Sequence, residues 1–147
     1  MTDWMRQMTG LSAAWSGVIQ DTASTTTLVA LLCARERITD YSLARGGLQA
    51  ESAPLIIYVS EYSHSSVDKA ALLAGFGRAN VRVIKADANF ALDPVALEDA
   101  IQTDLTQGNR PCAIVATTGT TTTAAAKGVL AHDSPEKAIG DPMAPPP

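Results

Sequence analysis

Three short polar blocks each adjoin an apolar segment, and their residue types could bind an anion and move a proton. The first is Thr22-Ala23-Ser24, just ahead of an apolar stretch that begins at Leu28. A helix starting there leaves its first backbone amides without intrahelical acceptors and carries the positive end of the helix dipole, so a phosphate would sit well on it. Thr and Ser also cap helices of every kind, and a plain N-cap is the competing reading. The second block centres on His64, with Ser65 beside it, just past the apolar run Leu55 to Ser60. That places it at the carboxyl edge of a strand, where open α/β sheets hold their ligands. Histidine can exchange protons near neutrality, although a histidine at a helix start can also have no role. The third block, Thr117-Thr118-Gly119-Thr120-Thr121-Thr122, follows the apolar CAIVA. Gly119 permits a tight turn there, while a threonine-rich stretch taken alone reads equally as a low-complexity loop.

The elements that must hold these blocks follow from hydrophobic spacing. Leu28, Leu31, Leu32 and Ile38 recur at helical intervals behind Thr22 and Ser24, which predicts a helix over residues 24–39. Residues 40–53 contain Gly46-Gly47 and no sustained period, so they read as a connection. Leu55 to Ser60 is a short β-branched run of the kind buried on both faces. Val67, Ala70, Ala71 and Ala74 form one apolar stripe between His64 and Phe76, with Gly75 and Gly77 as stop signals. A second strand is predicted at residues 81–86. Asp93-Pro94 then supplies an N-cap and a proline for the first helical position, ahead of a buried face of Leu97, Ala100, Ile101 and Leu105. Gly108 closes that helix and residues 112–116 read as a third strand. Strands alternating with helices require crossovers, which predicts an α/β fold: a three-layer αβα arrangement around a mainly parallel sheet.

Composition narrows the partners. The 147 residues are 46% apolar with a formal net charge of -4, enough for one globular core. Lys and Arg are scattered, leaving no footprint for nucleic acid. No apolar run approaches the ~20 residues that span a bilayer, and the N-terminus lacks the order of a signal peptide, so the expectation is a cytoplasmic protein that binds neither membrane nor nucleic acid. Cys33 and Cys112 sit in apolar stretches and read as small buried hydrophobes, not a disulfide or metal pair.

The blocks TASTTTLVALLCARER, YVSEYSHSSVDKA and IVATTGTTTT together resemble the large domain of the group II pyridoxal-phosphate-dependent decarboxylases, the family of aromatic-L-amino-acid decarboxylase. The resemblance runs from about Trp4 to Thr123. It implies part of the large domain of a fold-type I enzyme over residues 1–123, with 124–147 a divergent, disordered tail ending in prolines. It also implies pyridoxal 5'-phosphate as cofactor, a carboxy-lyase reaction on aromatic L-amino acids, and a homodimeric parent enzyme. By this resemblance Ala23 and Ser24 are phosphate ligands, the first through its amide and the second also through its hydroxyl. His64 becomes the catalytic histidine that stacks on the pyridine ring, and Thr121 touches the ring face or the substrate side. No metal ligands are implied.

The same resemblance calls for a Schiff-base lysine in a PHK-like segment and an acidic partner of the pyridine nitrogen in an HVDAA-like segment, and neither occurs here. Lys69 falls on a helix position that is not the Schiff-base site, and Lys127 has no better claim. The expectation is a truncated gene product, inactive alone, that retains the phosphate and ring-stacking walls. The alternatives are a free-standing α/β module binding a phosphate-bearing ligand, or a nonfunctional product. A sheet of about three strands leaves apolar edges that favour aggregation or partner capture.

Overall fold

The computed structural model describes residues 1–117; the expectations for Thr118 to Thr122, including Thr121, and for the tail beyond Thr123 lie outside the described residues. A short helix, α1 (Thr2–Met8), precedes α2 (Ala23–Ile38), and two 3₁₀ turns, Ser42–Arg45 and Gly47–Ala50, lead to β1 (Leu55–Ser60). Then follow α3 (Ser65–Leu73), β2 (Val81–Ile84), α4 (Pro94–Thr106) and β3 (Arg110–Val115). The three strands are parallel in the order β2-β1-β3.

The central strand explains the layering. All six residues of β1 are buried, so both of its faces need cover. Leu55, Ile57 and Val59 share one core with Leu31 of α2 and Val67, Ala70, Ala71 and Ala74 of α3. Ile56 and Tyr58 face the other way, joined by Ile84, Leu97, Ala100 and Ile101. Parallel crossovers are right-handed, and β1 to β2 and β2 to β3 step in opposite directions across the sheet, so α3 and α4 must lie on opposite faces. The expected three-layer α/β arrangement is what forms.

Local signals account for most boundaries. Asp93 caps α4 by accepting from Val95 N at 2.9 Å and Ala96 N at 3.4 Å, with Pro94 at the first helical position. Gly75, at φ +87°, ends α3 where an added Cβ would stand 3.3 Å from Leu48 Cδ1. In β3 the register with β1 skips Cys112, next to Pro111, whose missing amide suits a bulge.

Two expectations need correction. Cys33 is exposed on α2 and only Cys112 is partly buried. On α4 Leu105 is 51% exposed, and its neighbour Asp104, at 2%, takes the buried place. The cause is a polar cluster: Asp104 accepts from Arg82 Nη2 at 2.7 Å and Nε at 3.1 Å, Asn109 Nδ2 at 2.8 Å and Tyr58 Oη at 3.1 Å. Burial raises the Asp104 carboxyl, but the hydrogen bonds from Arg82, Asn109 and Tyr58 outweigh it and hold the group below the ordinary carboxylate range. Burial, then the Asp104 carboxylate, pushes the Tyr58 hydroxyl up, so it stays a donor.

Candidate functional site

Two arginines set the direction of α2. Arg110, the first residue of β3, donates through Nη2 to Ile38 O at 2.5 Å, the last carbonyl of α2. Arg35 donates through Nη1 to Ala74 O at 2.6 Å, at the end of α3. The α2 carboxyl end is therefore pinned to the amino end of β3 and to the carboxyl end of α3. Sixteen residues of helix span about 24 Å and six of strand about 20 Å, so α2 runs back along β3 and starts near the strand's carboxyl edge. Leu28, one turn into α2, and Val115, the last residue of β3, both pack against the cluster that includes Val67, in the first turn of α3. The starts of α2 and α3 and the exit of β3 thus gather at one edge of the sheet.

At the α2 start, Thr22 is the cap, and its Oγ1 accepts from Thr25 N at 3.1 Å. Of the hydroxyls around it, Thr25 pairs with Thr22 at 2.9 Å, Thr26 bonds Thr22 O and Thr27 bonds Ala23 O. Ser24 Oγ and the amides of Ala23 and Ser24 have no partner among the described residues, and both residues are exposed. Two free amides and one free hydroxyl at a positive helix end form a donor set suited to phosphate oxygens.

His64 is the N-cap of α3, and its Nδ1 accepts from Ser66 N at 3.2 Å and lies 2.9 Å from Ser66 Oγ. Accepting at Nδ1 places the neutral ring's proton on Nε2, and the residue is exposed. Beside it, Ser63 Oγ is buried with no hydrogen-bond partner among the described residues. An orphaned buried hydroxyl next to an exposed imidazole fits a site that takes a further polar group.

The structure thus gathers Ala23, Ser24 and His64 at one edge and brings Thr117 to it, while Thr121 lies outside the described residues. Of the chain's lysines, Lys69 and Lys85 are described, both exposed. No group of three or more His, Cys, Asp or Glu among the described residues could hold a metal. A pocket of about 350 Å³ lies at the opposite, amino edge, lined in part by Leu48, Glu51, Phe76 and Asn80. Its carboxylate, Glu51, already pairs with Arg110 at 2.9 Å and Arg45 at 3.5 Å, so the pocket offers no free charge. Sequence reasoning missed Glu61, which accepts from Ala86 N, and the Tyr62–Phe90 ring pair; the signal was position, since Glu61 and Tyr62 directly follow a buried strand.

Fold and edge together define an open α/β unit with a helix start bearing free donors at the carboxyl ends of its strands. The model of the pyridoxal-dependent decarboxylase conserved domain matches residues 1–129, and the chain belongs to that family. It is 41% identical over 131 residues to tyrosine decarboxylase 2 of Narcissus pseudonarcissus, covering 84% of this chain and 25% of the relative. It is 39% identical over 132 residues to aromatic-L-amino-acid decarboxylase of Bos taurus, covering 82% and 26%. Among solved structures, Oryza sativa TDC with PLP superposes with TM-score 0.72 at 34% identity, over 84% of this chain and 28% of that one. The chain spans about a quarter of the length of the curated relatives it matches. Among the described residues no helix is long and apolar enough to cross a membrane.

Proposed function

We propose that this chain forms the phosphate-binding and ring-stacking wall of a pyridoxal-5'-phosphate-dependent carboxy-lyase acting on aromatic L-amino acids. The observation that carries the reading is the free donor set of Ala23 and Ser24 at the same sheet edge as the exposed His64 ring. Ala23 N, Ser24 N and Ser24 Oγ hold the phosphate, and His64 lies against the pyridine face with its Nδ1 already fixed by Ser66. Thr121 lines the ring or substrate side. When bound, the cofactor supplies an electron sink for bond cleavage at the substrate's α-carbon. The chain has no PHK-like or HVDAA-like segment, so this stretch supplies binding and orientation, not turnover. Tyrosine and aromatic-L-amino-acid decarboxylases among the relatives support the aromatic substrate class. Residues 1–123 as part of a large domain, a homodimeric parent enzyme and a cytoplasmic location go with the same reading.

The test is calorimetric titration with 4'-deoxypyridoxine 5'-phosphate, which lacks the aldehyde and cannot react with Lys69 or Lys85, alongside inorganic phosphate. Loss of charge-assisted hydrogen bonds worth ~1.5–3 kcal/mol means that Ser24→Asp should weaken both ligands by about tenfold or more. His64→Ala should weaken the ring-bearing ligand and leave phosphate unchanged. Equal affinity of the parent and both variants for the ring-bearing ligand would overturn the reading.

A further inference from the structure

The loop that carries His64 is tied to the loop after β2 from three directions. Glu61 N donates to Ile84 O, the last carbonyl of β2, at 3.0 Å, and Glu61 Oε1 accepts from Ala86 N at 2.7 Å. Backbone and side chain of one residue thus close the sheet ladder beyond the last paired position, Ser60 with Ile84. The Tyr62 and Phe90 rings then meet edge to face, centroids 5.5 Å apart at 79°. On its own side the His64 loop folds tightly over Ser60, with Ser63 N on Ser60 O at 2.9 Å and Tyr62 N on Ser60 Oγ at 3.3 Å.

The partner loop is itself closed by hydrogen bonds. Asp87 Oδ1 accepts from Asn89 N at 2.7 Å and Ala91 N at 3.0 Å, while Asp87 N donates to Ala91 O at 2.7 Å and Phe90 N to Asp87 O at 3.0 Å. Ala86 and Leu92 pair across it, and Leu92 is anchored in the core under α4. This geometry holds Phe90 at φ +61°, a left-handed conformation unfavourable for a bulky residue, with the residue 47% exposed. Hydrophobic burial does not account for a phenylalanine there, since glycine or asparagine would adopt that backbone more readily and the ring is half in solvent. Its one ring partner among the described residues is Tyr62, two residues before His64.

We propose that Glu61 and Phe90 are positioning residues that brace residues 61–64 and so set the tilt of the His64 imidazole. This rests on the reading of His64 as the ring-stacking residue. The brace links two strand ends whose following helices leave to opposite faces of the sheet, the place where an unbraced loop would swing away from the edge.

The experiment uses the full chain and Phe90→Ala, Phe90→Leu, Phe90→Tyr and Glu61→Gln variants, each also in a His64→Ala background, with far-UV circular dichroism confirming fold. Without ligand, NMR relaxation of the His64 imidazole should show a more mobile ring in Phe90→Ala and Phe90→Leu, and parent-like rigidity in Phe90→Tyr. With 4'-deoxypyridoxine 5'-phosphate, Phe90→Ala should lower affinity about five- to tenfold when His64 is present and have no effect in His64→Ala, while phosphate affinity stays unchanged. Glu61→Gln, which keeps an acceptor, should retain most of the affinity. Unchanged imidazole relaxation in Phe90→Leu, or an equal loss with and without His64, would overturn the brace. A parent that binds no ring-bearing ligand would overturn the site reading instead, and the ligand-free relaxation would still decide the brace.

Discussion

Replacing Asp104 with alanine should destabilise the fold more than any change at the candidate site, and the cost follows from its four donors. Tyr58, fully buried, would keep a hydroxyl with no acceptor, which costs about 1–3 kcal/mol. Breaking a buried ion pair costs ~3–5 kcal/mol, but the Arg82 side chain is 32% exposed and water can replace part of its partner, so the low end applies and the two losses overlap. The expected total is about 3 kcal/mol, a large share of the ~5–15 kcal/mol that typically holds a domain together. Tyr58→Phe should cost only about 1 kcal/mol, because Asp104 keeps Arg82 and Asn109. Urea unfolding of the parent, both single variants and the double variant measures the coupling. In the Asp104→Ala background, Tyr58→Phe should cost nothing or recover stability, since it removes the orphaned hydroxyl. An Asp104→Ala cost under about 1 kcal/mol, or the same Tyr58→Phe cost in both backgrounds, would mean that Asp104 is not what satisfies the Tyr58 hydroxyl and the Arg82 cation.

Two further outcomes follow from titration. Asp104 is held below its unfolded value, so its contribution is complete above the unfolded pKa of about 3.9 and is lost as pH falls from there through the folded value. Urea midpoints of Asp104→Asn should accordingly lack part of the parent's decline between about pH 4 and 3, and an equally steep decline would count against the assignment. Burial first, only partly offset by the Arg110 and Arg35 cations, pushes the Cys112 thiol up to about 11, whereas Cys33 is exposed. At pH 8 iodoacetamide should modify Cys33 readily and Cys112 at least about tenfold more slowly than an ordinary thiol, with urea abolishing the difference. Peptide mapping by mass spectrometry reads both rates, and fast native labelling at Cys112 would contradict its burial.

Short-range chemistry was legible in the order of residues. Asp93-Pro94 marked the start of α4 because a side-chain cap and a fixed φ act within three residues, and LIIYVS marked β1 because only a strand covered on both faces tolerates six apolar or small residues in succession. The Val67, Ala70, Ala71 and Ala74 stripe showed which side of α3 turns inward. The three blocks also placed Ala23, Ser24 and His64 as candidates, though not the distinction between Thr22 as the cap and Ser24 as the free hydroxyl. That distinction depends on where each Oγ points once the first turn has closed.

Other features had no local sign. A helical repeat placed Leu105 inside, yet Tyr58 and Arg82 on two different strands supply donors that bury Asp104 in its stead. Likewise Phe90 and Tyr62 lie 28 residues apart, and nothing near either one announces the other. Residue order specified caps, strands and candidate ligands, because those depend on neighbours a few bonds away. Only the packed sheet decided which charge is buried and what holds the His64 loop, because both depend on donors and rings that meet after the chain has crossed over the sheet.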